Sequence, residues 1–154
     1  YIYDRNEVTF LMKKLYNLPC NIAQILNLIG DKWTLLILWQ LKQGNDTYGK
    51  LQNSLEGIAS NLLSERLKSL EKDALIKTKL YQKHPPRYQY LLTERGNDLN
   101  DVFNSLILWG EKHIKTCDKY LGHQTCGHSI QLHYHCPACD EEIKENEIKI
   151  FLSE

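Results

Sequence analysis

Residues 47–73 read TYGKLQNSLEGIASNLLSERLKSLEKD, and the fold turns on this stretch. Thr47 can cap a short helix running to Leu55, and Glu56-Gly57 supplies a turn out of it. Over 58–73, Leu62, Leu63, Leu67 and Leu70 recur at helical spacing and share one face. The opposite face carries Ser60, Asn61, Ser64, Glu65 and Lys68. Two helices joined by a tight Gly-containing turn, the second polar on one side, form the helix-turn-helix pattern. Side chains near the start of the second helix then reach toward base edges in a major groove. On an ordinary helix the same residues would be solvated surface, so the flanking sequence has to decide.

C-terminal to this stretch the period changes from helical to two. The alternation over 75–81 predicts a strand, His84-Pro85-Pro86 breaks it, and 87–92 reads as the returning strand. Lys83, His84 and Arg87 sit around a loop stiffened by two prolines, a wing whose Arg can enter a narrow minor groove. Thr47, Tyr48 and Lys50 are candidates for phosphate contact, and Arg66 is expected to point sideways toward another phosphate. Thr93 is placed to cap one long helix over 94–115, with Leu99, Val102, Phe103, Leu106, Ile107 and Trp109 on a wide apolar face.

N-terminal to it, Asp31 can cap a helix over 32–42 in which Trp33, Leu35, Leu36, Ile37, Leu38 and Leu41 leave almost no polar face. That segment reads as the hub of the core, closed by Gly44. Ile22, Ile25, Leu26 and Ile29 mark a short helix ended by Gly30. Before it, Val8, Leu11, Leu15 and Leu18 make a narrow stripe that Pro19 stops, suited to packing against a partner chain. Trp33 and Trp109 are assigned to core and dimer packing. The expected fold is mainly α with a β-wing (α+β), a winged helix-turn-helix flanked by dimerisation helices. Its parts are a dimerisation helix (1–19), a winged-helix DNA-binding domain with a long C-terminal helix (20–116) and a small Cys/His-rich, zinc-ribbon-like metal-binding tail (117–154).

The zero net charge hides an asymmetry. Over 47–95 nine Lys and Arg oppose five Asp and Glu, net +4, whereas over 140–154 two oppose six, net −4. The basic half coincides with the helix-turn-helix and the wing. No apolar run is long enough to cross a bilayer and no segment is laid out as a secretory signal, so a cytoplasmic protein is expected. Five cysteines without such a signal fit reduced thiols better than a disulfide framework.

Three of those cysteines lie in the tail. His123-Gln124-Thr125-Cys126 is followed ten residues later by Cys136-Pro137-Ala138-Cys139. H-x-x-C with C-x-x-C is the spacing of a closed structural Zn²⁺ site, with His123, Cys126, Cys136 and Cys139 as ligands. His128, His133 and His135 compete for the histidine position. Cys136 and Cys139 alternatively form a redox pair, which makes a thiol-disulfide protein the first rival function. A winged-helix module that binds proteins rather than DNA is the second.

Taken in order, Cys20, Leu28-Ile29-Gly30-Asp31-Lys32-Trp33-Thr34-Leu35-Leu36-Ile37-Leu38, Gly57-Ile58, Leu63, Leu67, Leu70-Glu71, Pro85-Pro86-Arg87, Tyr90, Leu92-Thr93, Gly96 and Trp109 resemble the HxlR-type regulators, related to MarR-like repressors. The resemblance implies a transcriptional regulator without catalysis of its own. It also implies a homodimer that binds a near-palindromic duplex operator with one reading helix and one wing per subunit. Relatives with a cysteine at the place of Cys20 use it to sense oxidants or electrophiles, so an oxidant or small-molecule effector is expected; the plain alternative is a small buried residue. Two positions depart from the pattern. Ala59 stands where a capping hydroxyl is usual, leaving Ser60 to take over, and Ala74 replaces a glycine at the helix end.

Overall fold

The computed structural model describes residues 15–116 and 119–152. The expected N-terminal helix falls mostly outside the described residues, as does Cys117. The chain divides into two units, 1–98 and 99–154, each described by itself.

The first unit runs α1 (Asn21–Ile29), α2 (Thr34–Lys42), α3 (Tyr48–Ser54), α4 (Ser60–Lys72), β1 (Ile76–Gln82), β2 (Arg87–Leu92) and α5 (Glu94–Asn97). Ile37 and Leu38 of α2, Leu51 of α3, Leu63 and Leu70 of α4, and Leu75 and Ile76 at the start of β1 are fully buried. They draw the three helices and the base of the wing into one core. As its composition predicts, α2 is the hub, with Thr34, Ile37, Leu38 and Leu41 all inside. Its outer side is nonetheless open, since Leu36 is 44% exposed.

Helix α1 buries only Ala23 and Ile29. Ile22, Ile25 and Leu26 face solvent, Ile22 at 68% exposure, so the apolar residues that define this helix in the sequence lie largely on the surface.

Helices α2 and α4 end in the same way. After α2, Gly44 takes a left-handed φ of 86° while the Gly44 and Asn45 N–H groups reach back to the Leu41 and Gln40 carbonyls. After α4, Ala74 takes φ 55°, and the Ala74 and Leu75 N–H groups reach the Glu71 and Leu70 carbonyls. This paired bonding is the Schellman end, for which glycine is the natural residue. The helix keeps the geometry and bears the strain of the alanine. At the other end of α4 the N-cap position is Ala59 and no side chain caps the helix. Ser60, already inside the first turn, does not replace the missing cap, and the helix is shorter than the expected 58–73.

Strands β1 and β2 pair antiparallel from Ile76↔Leu92 to Gln82↔Arg87, with an irregularity between Leu80 and Gln82 that leaves Tyr81 as the extra residue. Thr93 then caps the next helix as expected, its hydroxyl accepting from the Gly96 N–H at 3.1 Å. The single helix over 94–115 is not formed. It breaks at Asp98 and Leu99 into α5 and, in the second unit, α6 (Asn100–His113). The reason lies at Thr93, which donates its N–H to the Leu75 carbonyl at 3.1 Å and its hydroxyl to the Ala74 carbonyl at 2.7 Å and so pins the first turn against the core. Gly96 approaches the Leu75 carbonyl so closely that a Cβ would lie 2.2 Å from its oxygen.

The second unit continues from α6 into β3 (Tyr134–Cys136), β4 (Glu141–Ile143) and a 3-10 turn at Glu145–Glu147. Phe103 is buried, whereas Trp109 is 60% exposed and lies against the His113 ring with centroids 4.9 Å apart.

Two glycine exchanges should move stability in opposite directions. Ala74→Gly relieves a left-handed alanine and should raise unfolding stability by about 1 kcal/mol, less the entropy glycine loses on folding. Gly96→Ala forces a methyl group into a carbonyl and should destabilise by several times that, on the order of 3 kcal/mol. Thermal or urea unfolding of both variants measures this, and a destabilising Ala74→Gly would contradict the strain.

Candidate nucleic-acid interface

Asp31 organises the region where α2 meets α4. Its Oδ1 accepts from the Trp33 N–H at 2.9 Å and the Thr34 N–H at 3.0 Å, and its Oδ2 accepts from the Thr34 hydroxyl. The carboxylate is thus the working cap of α2. Arg66 of α4 brings its Nε to 3.5 Å from Oδ1. The sequence-based expectation that Arg66 meets a phosphate is therefore corrected: its guanidinium is turned inward onto a carboxylate. Burial works to raise the Asp31 pKa. The Thr34 hydroxyl, the two N–H groups and Arg66 together outweigh burial and hold the carboxyl below its ordinary range.

Helices α3 and α4 are tied by Tyr48, whose hydroxyl donates to the Ser60 carbonyl at 2.7 Å and accepts from the Ser64 hydroxyl at 3.3 Å. Of the expected reading residues, Ser60, Asn61, Glu65 and Lys68 are exposed, while Ser64 is half-buried. Asn61, Glu65 and Lys68 are spaced at four and three residues and share a side of the helix.

The wing is attached through Asp46, a residue the sequence reading passed over. Its carboxylate accepts from the Gln89 amide of β2 and from Lys50 Nζ at 2.9 Å, and its carbonyl accepts from the Tyr90 N–H at 2.7 Å. Thr47 pairs with Gln89 as an isolated bridge, making a third short rung beside the wing. Lys50, taken from the sequence as a phosphate contact, is held in an i,i+4 ion pair. The Gln89 and Lys50 hydrogen bonds keep the Asp46 carboxyl below its ordinary range against weaker desolvation. The only sequence signal for this role is that Asp46 directly precedes the helix start at Thr47.

Between the start of α3 and the wing lies a groove of about 410 Å³ lined by Tyr48, Tyr81, Tyr88, Tyr90 and Arg87 among others. Burial, then neighbouring Tyr48, Glu71 and Tyr88, push the Tyr90 hydroxyl up, so it stays a neutral donor. Lys83, His84 and Arg87 are all exposed at the wing tip. The reading face, the tyrosine groove and the basic tip thus belong to one unit, with hydroxyl, amide and cationic donors suited to phosphate and base edges.

The remaining candidates lie elsewhere. Cys20 is exposed at the N-cap position of α1, with no side-chain cap hydrogen bond. In the tail the structure forms two pairs, His123 Nδ1 to Cys126 Sγ at 3.2 Å and Cys136 with Cys139. N–H groups of Cys139 and Ala138, followed by the Cys139 side chain, lower the Cys136 thiol pKa. Among the described residues no three His, Cys, Asp or Glu side chains gather at one point.

A three-helix core, a paired-helix reader and a two-stranded wing define a winged-helix DNA-binding protein. Comparison with known proteins agrees. The model of the HxlR-like helix-turn-helix family matches residues 28–118, and the chain belongs to that family. It is similar to the uncharacterized HTH-type transcriptional regulator Rv3095 of Mycobacterium tuberculosis, 35% identical over 126 residues, 80% of this chain and 79% of that one. In structure it is similar to PA1607, solved as a candidate transcription factor (TM-score 0.73, 23% identity, 89% of this chain and 97% of that one), a likeness of fold. It is also similar to the redox regulator HypR in its oxidised form (TM-score 0.56, 27% identity, 60% of this chain and 96% of that one). The chain is a transcriptional regulator with a helix-turn-helix domain. Among the described residues no helix is long and apolar enough to cross a membrane.

The two carboxylates give this unit a defined acid limit. Both folded pKa values are lowered, so the stability they contribute is complete above about pH 4 and is lost as pH falls through the lowered values. Denaturant unfolding between pH 7 and 2 should show a fall beginning near pH 4 that is shallower in Asp31→Asn. Superimposable acid limbs in parent and variant would remove Asp31 from the account.

Proposed function

We propose that the protein is a sequence-specific regulator that binds a near-palindromic duplex operator as a homodimer and acts by occupying DNA, not by catalysis. Its place of work is the cytoplasm, where its partner DNA lies. The observation that carries this reading is that one unit holds α4 and the wing, with Asn61, Glu65 and Lys68 exposed on the helix and Lys83, His84 and Arg87 exposed at the loop tip. In this reading Ser60 and Thr47 are the phosphate contacts, whereas Tyr48, Ser64 and Lys50 are engaged within the protein and hold the helices that present the readers. The exposed apolar residues of α1 and α6, Ile22, Ile25, Leu26, Leu106 and Trp109, supply surface for a second copy. A two-fold protein presents two copies of one reader, hence the near-palindrome.

Operator selection from random DNA, followed by salt-dependent binding, tests the reading. Asn61→Ala should cost about 1–3 kcal/mol on the selected site with little loss on random DNA. Arg87→Ala should weaken both and lower the salt slope by about 1. No affinity for any duplex would turn the protein into a winged-helix interaction module, and full-affinity binding of one half-site by a monomer would end the dimer model.

The effector we propose is an oxidant or electrophile acting at Cys20. The thiol is exposed at the start of a helix whose apolar face is itself exposed, so a modification there alters a surface available to a partner subunit. The redox behaviour in the name of HypR supports the same reading. Diamide should change operator affinity of the wild type and leave Cys20→Ser unmoved; a response that survives the exchange would place sensing elsewhere.

A further inference from the structure

The tail offers a second chemistry, independent of how DNA is read. Two five-residue loops, His123-Gln124-Thr125-Cys126-Gly127 and Cys136-Pro137-Ala138-Cys139-Asp140, follow one backbone scheme. In each, the fifth residue is left-handed, Gly127 at φ 71° and Asp140 at φ 57°. In each, the N–H of that fifth residue donates to the carbonyl of the first, at 2.7 Å for Gly127 to His123 and 2.8 Å for Asp140 to Cys136. Antiparallel pairing closes each loop: Gly122↔Ser129 around the first, and Tyr134↔Ile143 to Cys136↔Glu141 around the second. A loop of this shape turns its first and fourth side chains to the same side, as the 3.2 Å contact of His123 Nδ1 with Cys126 Sγ shows.

A further observation points to a ligand. No residue described between 119 and 152 is buried. Ile130, Leu132 and Tyr134, which alternate in the sequence, are all exposed, as are Ile148 and Ile150; Ile143 pairs opposite Tyr134 without burying it. Two hairpins with matched turns, one holding a non-glycine residue in the left-handed region, therefore stand without an apolar core of their own. Strained backbone persists where something over-determines it, and a segment this small needs a staple.

We infer that His123, Cys126, Cys136 and Cys139 bind one Zn²⁺ per chain as a structural site. The two loops present as separate pairs, and the ion joins them: binding draws the hairpins together and supplies folding free energy that the missing core does not. Three thiols release their protons to solvent and become thiolates, and a neutral imidazole completes the tetrahedron, so the filled site carries a charge of about −1. A closed S₃N set leaves no position for substrate. Two of the competing histidines are engaged otherwise, both within the β3–β4 hairpin: His133 lies 3.6 Å from Glu142 and His135 3.1 Å from Asp140.

Metal analysis of the tag-free full-length protein, purified under reducing conditions, tests the site. It should contain close to one zinc per chain. The apo protein, titrated with Co²⁺, should develop the absorption bands of a tetrahedral S₃N complex at a one-to-one ratio. Cys126→Ser and Cys136→Ser should each lose the zinc, and His123→Ala should weaken Co²⁺ binding by at least about tenfold and change its spectrum. His128→Ala, His133→Ala and His135→Ala should keep both. Chelation should make residues 119–152 protease-sensitive while residues 20–98 remain folded. The cobalt titration needs no variant, so a misfolded Cys→Ser protein does not obscure the answer. A reduced wild type that binds neither zinc nor cobalt overturns the inference, as does zinc retained by Cys136→Ser. Cys136 found bonded to Cys139 in protein kept anaerobic would make the pair a redox couple instead.

Discussion

Asp31 carries a negative charge into the junction between the end of α1, the start of α2 and the middle of α4, and the architecture of the reading unit depends on its being satisfied there. Desolvation alone would favour the neutral acid. Two N–H groups, a hydroxyl and a guanidinium reverse that preference, and each comes from an element whose position matters. The N–H groups and the Thr34 hydroxyl start α2, the hub on which the core is built. The guanidinium belongs to Arg66, one residue beyond Glu65 on the reading helix. The pair is part-buried, Asp31 at 14% and Arg66 at 23% side-chain exposure, and breaking it from one side leaves a charge that water compensates only in part. The pair therefore specifies geometry more than it adds stability, and what it specifies is the placement of α4 against α2.

The same logic recurs at a more exposed level around Asp46. A two-stranded wing with only its base buried has little packing to fix its angle, since isolated hairpins are marginal in water. Asp46 supplies the missing constraint by accepting from Gln89 on the wing and Lys50 on α3 while its carbonyl takes the Tyr90 N–H. Tyr48 completes the link to α4. A chain of hydrogen bonds thus runs from the wing through α3 to α4, and it fixes the placement of the strand that begins at Arg87 relative to the helix that carries Asn61. That chain explains why several polar residues that read in the sequence as DNA contacts are occupied within the protein. Tyr48, Ser64 and Lys50 hold the readers in place.

The elements that were legible in the sequence are those with a strong local period or a strong local cap. The alternation around 76–82, the Leu spacing of α4 and the Thr93 cap all appear as expected, because each depends on neighbours three or four residues away. What was not legible depends on distant partners. The break at Asp98 and Leu99 follows from Gly96 meeting the Leu75 carbonyl, twenty-one positions earlier, and no window of sequence shows that approach. Arg66 looked like a phosphate contact because its helix suggested a surface, whereas its partner Asp31 is thirty-five positions away. Asp46 was invisible for the same reason, its partner lying across the wing. Ala74 is the reverse case: its departure from the usual glycine is visible locally, and the surrounding Schellman bonds impose the left-handed geometry on it all the same.

The two ends of the chain show two ways of specifying a structure. In the first unit, seven side chains without exposure draw helices and wing base together, and polar links then select one arrangement among the compact ones. The tail has no such reservoir. Its apolar residues are spread along an exposed backbone, and its order lies in two turns of matched shape. Backbone turns alone do not hold a short segment, because each fixed residue costs about 1–2 kcal/mol of conformational entropy while a solvent-exposed hydrogen bond returns less. A unit built this way is stable only if a few strong, localised bonds replace many weak distributed ones. Thiolate and imidazole on a metal ion are such bonds, and their strength follows the supply of metal and the redox state of sulfur rather than packing. With the inferred Zn²⁺ in place, the tail's order would follow the supply of metal and the redox state of sulfur.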